Sequence, residues 1–245
     1  MSYRLGRLPA VRPVGLRDLR SYTAGDAFPA PPATFGDLAI LQAIEWGMDG
    51  NDSLGDCTIA GVDHLLAAWN TLFGESDARP SLGEVETLYK QLSPDDQGCA
   101  EATVLQQWQG SGLWGNKITA YAPLNVRDQV ELQQGIAFLG AIYLGIACPE
   151  SAQQQFAEQE QSGQLVPWTV VHGSPIAGGH CIVSVGYTSE GLLCVSWGSL
   201  VLVTWAFLRK FLEEAWAILS QALAEKGADT LGLDLAALKA DLPAA

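Results

Sequence analysis

The run NDSLGDCTIAG, residues 51–61, puts one cysteine where a Gly-rich turn gives way to a long apolar segment. Ile59, Val62, Leu65, Leu66, Trp69, Leu72 and Phe73 recur at three- and four-residue spacing, which predicts a helix with a broad apolar face. Asp56 reads as its N-cap, a carboxylate able to accept amide N–H groups of the first turn. Cys57 then stands where the positive end of the helix dipole favours thiolate over thiol. Asp52 and Asp56 work against this, because nearby negative charge raises a thiol pKa. Taken alone, the helix start describes a small buried cysteine before it describes a nucleophile.

Far downstream, GGHCIVSVGY (residues 178–187) reads as a loop running into a β-branched strand. A turn over residues 188–191 leads to a second strand, LLCVSWG, residues 192–198. A histidine at a strand start beside two glycines has room around its ring and a rigid base. Cys57 early on a helix and His180 on a strand form an arrangement in which imidazole activates a thiol.

Three blocks therefore follow in order: Gly55-Asp56-Cys57 entering an apolar helix, Gly179-His180 opening a strand that ends in Val185-Gly186-Tyr187, and Ser196-Trp197-Gly198. In order and spacing they resemble the papain-like cysteine peptidases, over about residues 45–200. The resemblance implies Cys57 as nucleophile and His180 as general base. It also implies that Asn51, where the family has a glutamine six residues before the cysteine, lends an amide to the oxyanion hole. The family's asparagine that orients the histidine falls on Val195, which cannot hydrogen-bond the ring. Ser196, a main-chain carbonyl or water is then left to hold the tautomer, and Trp197 is expected to shield the ring or to serve as core.

Composition narrows the function classes. The chain has 245 residues, 48% of them hydrophobic, and eight tryptophans, which suits a large core rather than disorder. Net charge is −14, although the first twenty residues carry Arg4, Arg7, Arg12, Arg17 and Arg20 against Asp18 alone. A body so acidic repels phosphates, so no nucleic-acid partner is expected. No apolar run of membrane-spanning length occurs and the N-terminus lacks a signal-peptide core, so no membrane association and a cytoplasmic location are expected. Five cysteines without a CxxC pair fit a reduced compartment, and with three histidines at no ligand spacing neither zinc nor another cofactor is expected.

Residues 1–37, rich in Arg, Pro and Gly, read as an extended arm: a strap on the acidic body, or alternatively an inhibitory pro-segment. Residues 38–245 read as one catalytic domain, with a helical lobe over about 38–115, a sheet lobe over about 116–205, and helices over 204–245. Within it, Ser81 and Glu84 form a capping-box pattern, and Cys99 reads as structural. The 110–115 glycine loop reads as an ordinary turn. An uninterrupted apolar stretch over 141–147 suits a strand buried on both faces. Residues 151–164 read as an exposed loop or short helix, and Thr204–Leu223 as one amphipathic helix. His64 reads as a packing residue and His172 as the rival base.

The expected architecture is α+β and two-lobed, papain-like, with a helical lobe, an antiparallel barrel-like sheet and an active-site cleft between them. The expected function is a cysteine-dependent hydrolase of peptidase or amidase type, working through an acyl-enzyme on a peptide, amide or thioester, with Cys57, His180, Asn51 and Ser196 as its site. The alternatives are a catalytically inactive binding or structural protein of the same fold, and a thiol acyltransferase. Oligomeric state is not written in the sequence.

Overall fold

In the computed structural model, residues 3–23, 29–227 and 232–243 are described. The helical lobe holds α1 (Leu38–Ala43), α2 (Cys57–Phe73), α3 (Leu82–Leu92) and α4 (Glu101–Gly110). Every residue of α2 from Cys57 to Trp69 is buried, so the apolar face expected from its spacing has become a helix enclosed on all sides. It ends on Gly74, whose φ of 64° is the left-handed cap that glycine adopts without strain. Asp37 caps α1 by accepting from the amides of Ala39 and Ile40. In α3 the Ser81 amide donates to Glu84 Oε2 at 2.8 Å, as the capping-box pattern predicts.

The second lobe is a six-stranded sheet formed by β1 (Ile118–Pro123), β2 (Ile142–Pro149), β3 (Ile176–Tyr187), β4 (Gly191–Ser196), β5 (Ser199–Thr204) and β6 (Leu212–Ser220). Their order is β1-β6-β2-β3-β4-β5, and every pairing is antiparallel. The sheet is open rather than closed into a barrel. Helices α5 (Gln129–Leu139), α6 (Glu150–Ser162), α7 (Trp205–Phe211), α8 (Gln221–Gly227) and α9 (Leu235–Asp241) complete the chain.

One expectation fails here. Thr204–Leu223 is not one helix: it divides into α7, the central strand β6 and the start of α8. A strand buried on both faces carries apolar residues at nearly every position, and such a run satisfies a helical template as readily as an extended one. The sheet therefore extends beyond residue 205, to Ser220. The 151–164 segment is the helix α6, anchored by buried Phe156 and Gln159. No helix among the described residues is long and apolar enough to cross a membrane.

The lobes meet where α2 lies on β2 and β3. Tyr143 on β2 donates its hydroxyl to the carbonyl of Thr58 on α2. A Cβ at Gly61 would come within 2.6 Å of the Tyr143 ring and 3.2 Å of Cys181 Sγ, so glycine there lets the helix settle onto the sheet. The arm is fastened along both lobes. Tyr3, Leu16, Leu19 and Tyr22 are buried. Arg4 pairs with Asp96 (2.7 Å), Arg17 with Asp241 (2.9 Å) and Arg20 with Asp128 (2.7 Å), while Arg12 pairs within the arm with Asp18 (3.0 Å).

Candidate active site

Cys57 begins α2, but Asp56 does not cap the helix through its side chain. The Asp56 carboxyl is fully buried with no hydrogen-bond partner, and burial pushes it up to about 8. It is thus largely protonated at neutral pH, and the negative charge expected beside the cysteine is mostly absent. Cys57 itself is 2% exposed, and its Sγ accepts the Cys181 amide at 3.4 Å. Burial raises the thiol to about 12, outweighing the amides of Cys181 and Gly6 that favour thiolate. The dipole advantage read from the helix start is overridden by desolvation in this closed arrangement.

His180 lies on β3, one residue before the amide that touches Cys57. Its Nε2 is 2.9 Å from Ser196 Oγ, and its ring stacks on Trp197 at 4.3 Å with planes 17° apart. Nδ1 is buried without a hydrogen-bond partner. Burial, then His64 and Arg7, lower the imidazole to about 3. The thiol and the ring are therefore both neutral here, and no hydrogen bond joins them. Trp197 occupies a turn with φ of 45°, followed by Gly198 at 73°, and this turn joins β4 to β5 while holding the indole over the histidine.

Asn51 is buried, and its Nδ2 donates to the carbonyl of Leu54 at 3.1 Å within its own turn. Of the other histidines, His64 is buried with Nε2 3.0 Å from the Gly47 carbonyl, a packing role, whereas His172 is exposed. Among the described residues no cluster of three or more His, Cys, Asp or Glu could hold a metal ion.

The arm covers the site. Residues 4–8 of the arm run through the cleft. The Arg4 amide donates to the Asn51 carbonyl (3.2 Å), Cys99 to Gly6 (2.8 Å), Arg7 to Gly179 (3.1 Å) and Leu8 to Cys99 (3.1 Å). Trp197 Nε1 donates to the Arg4 carbonyl at 3.0 Å. Arg7 turns inward, its side chain 2% exposed, and meets Glu214 at 2.6 Å and Glu213. Arg7, Glu101 and Glu214 form a buried ionisable cluster beside Cys57 and His180 that the sequence motifs do not point to. The one available signal for Glu101 was a carboxylate opening a helix whose buried face is otherwise apolar, with Ala102, Val104, Leu105 and Trp108.

No protein-family model matches the chain, and no curated protein does. Among solved structures it is similar to xylellain, a cysteine protease from Xylella fastidiosa, at TM-score 0.65 and 12% identity over 90% of this chain and 98% of that one. It is also similar to proCathepsin B S9 from Trypanosoma congolense, at TM-score 0.55 and 11% identity over 89% and 87%. A third likeness is to the cysteine protease and lectin-like domains of Cwp84 from Clostridium difficile, at TM-score 0.56 and 12% identity over 78% of this chain and 53% of that one. Helical lobe, antiparallel sheet and these likenesses agree: this chain has the papain-like fold.

Proposed function

We propose that the protein is a cysteine-dependent hydrolase of the peptidase or amidase type, held latent by its own arm. The observation that carries this reading is the placement of Cys57 Sγ against the amide of the residue after His180, with Nε2 anchored and Nδ1 unclaimed. With its proton on Nε2, accepted by Ser196 Oγ, the ring keeps the Nδ1 lone pair for the thiol. Once the arm leaves and water enters, the desolvation that holds both groups neutral is relieved, and the proton passes from Sγ to Nδ1. The thiolate then attacks an amide carbonyl, and His180 returns the proton to the departing amine. Water, deprotonated by His180, releases the acyl group and restores the thiol. The Cys57 amide and the Asn51 side chain, once it lets go of Leu54, would meet the oxyanion, at about 3 kcal/mol for each donor. A thioester substrate follows the same route, and an acceptor amine or thiol in place of water makes the protein an acyltransferase.

A non-catalytic binding role is favoured by one observation, the neutral and separate state of Cys57 and His180. The test is iodoacetamide labelling, mapped to individual cysteines across pH, in the opened protein with and without His180→Ala. A catalytic pair makes Cys57 react ahead of Cys99, Cys148, Cys181 and Cys194 near pH 6, and the substitution removes that lead. If Cys57 instead titrates as an ordinary thiol near ~8.5, the catalytic reading is lost. Cys57→Ser separates the roles further, since a binding module keeps its function and a hydrolase loses turnover.

A further inference from the structure

Gly6 and Arg7 sit in surroundings that few other residue pairs would fit. A Cβ on Gly6 would collide with the Gly55 carbonyl, and one on Gly98 would collide with the Gly6 carbonyl. The chain passes Cys57 through a gap with room for glycine alone. Beside it, a Cβ on Gly145 would stand 2.6 Å from Arg7 Cδ, and one on Gly179 would strike the Arg7 carbonyl. Gly145 and Gly179 have no positive φ to require glycine. At Gly179 the steric reason is the arm that passes over it, and at Gly145 it is Arg7 together with Glu214, whose Cγ would lie 2.6 Å from the same Cβ.

The arginine pocket is as specific as the gap. Nη1 donates to Glu214 Oε1 at 2.6 Å and Nη2 to the Ile146 carbonyl at 3.4 Å and to Glu213. The second oxygen of Glu214 is held by Trp216 Nε1 at 3.1 Å. Behind them, Glu101 is fully buried, and its carboxyl has no hydrogen-bond partner. A forked, permanently charged guanidinium suits a wall that offers a carboxylate and a carbonyl together, whereas an ammonium or an apolar side chain leaves part of that wall unmet.

We propose that the cleft selects polypeptide segments in which glycine is followed by arginine, with the glycine passing beside Cys57 between Gly55 and Gly98 and the guanidinium bound by Glu214 in front of Glu101. The arm is the chain's own copy of such a segment. That these segments are substrates rests on the hydrolase reading; that they bind does not.

The test uses the full chain carrying Arg7→Ala, so that the arm no longer fills the pocket. The peptide Arg-Leu-Gly-Arg-Leu-Pro, a copy of residues 4–9, is added, and protection of Cys57 from iodoacetamide is followed by mass spectrometry. Half-protection is expected at a concentration at least ~10-fold lower than for Arg-Leu-Gly-Met-Leu-Pro or Arg-Leu-Ala-Arg-Leu-Pro. Adding Glu214→Gln should erase the arginine preference. Gly6→Ala, which keeps the pocket intact and expels the arm by collision, serves as the second background if Arg7→Ala does not fold. Equal protection by all three peptides, protection by none, or a Cys57 still sealed in both backgrounds would overturn the proposal. The pH profile of Cys57 without peptide reports on the hydrolase reading independently, so either can fail alone.

Discussion

Ser196 Oγ stands 2.9 Å from Nε2 of His180, both side chains are buried, and Val195 next to the serine belongs to the opposite face of β4. The hydrogen-bond partner of the ring is thus set one residue along the strand from where the papain-like resemblance would look for it. A hydroxyl takes the place of an amide.

Removing that hydroxyl should loosen the imidazole without emptying the core. In a Gly6→Ala background, Ser196→Ala is expected to slow Cys57 modification at pH 6 about 5-fold, the scale of one neutral hydrogen bond at ~1 kcal/mol. Ser196→Thr, which retains the hydroxyl, should recover most of the rate. Equal rates in all three would mean that the ring is held by its stack on Trp197.

Restoring the family's amide at Val195 should fail. Val195 is fully buried and faces away from the ring, so Val195→Asn would bury an unpartnered amide, costing about 1–3 kcal/mol. Urea melts should show the loss of stability, and Cys57 reactivity should not rise. A gain in reactivity would show that the strand can turn its residues over.

Gly6→Ala places a methyl group against the Gly55 carbonyl. The arm cannot lie in the cleft without a backbone shift, an overpacking cost of about 1–3 kcal/mol. Labelling of Cys57 in the intact protein should rise by at least ~10-fold, while Cys194, buried in β4, stays protected. Unchanged labelling would mean that Arg7 in its pocket, with the ion pairs of Arg4, Arg17 and Arg20, holds the arm in place despite the added methyl.

Asp56 makes stability fall with rising pH. Its carboxyl keeps a proton up to about 8 when folded and loses it above ~4 when unfolded. Between those limits the unfolded chain binds fewer protons, and stability declines as pH rises through the window. Asp56→Asn has no such proton to lose. The variant should match the wild type near pH 4 and exceed it at pH 8 by about 2 kcal/mol or more. Some slope should persist in the variant, because Asp49 is likewise raised, to about 7. Parallel stability curves would place a charged Asp56 in the folded protein.

The local pattern made α2 and the His180 strand legible, because a long apolar helix and a β-branched run state themselves within a dozen residues. The Ser196-Trp197-Gly198 block was legible for the same reason, as the turn that closes β4. β6 was not, since its two-sided burial is a property of its neighbours β1 and β2, and those lie about 70 or more residues earlier. Nor was the fit of Gly6 and Arg7, which depends on Gly55, Gly98, Gly145, Gly179 and Glu214 arriving from five separate elements. The raised thiol of Cys57 belongs to the same class, since helix position is written locally and desolvation is not.

The place of β6 in the middle of the sheet sets an order of assembly. β1 and β2 have no hydrogen bonds to each other and meet only through a strand that follows β5 and α7. During synthesis, β2 to β5 can form a meander as they leave the ribosome, but β1 stays unpaired until residues 212–220 emerge. The same late strand delivers Glu214, so the counter-ion that draws Arg7 inward arrives after Cys57 and His180 are made. Pairing non-local strands last is slow, and until then the cleft stands open on a nascent chain.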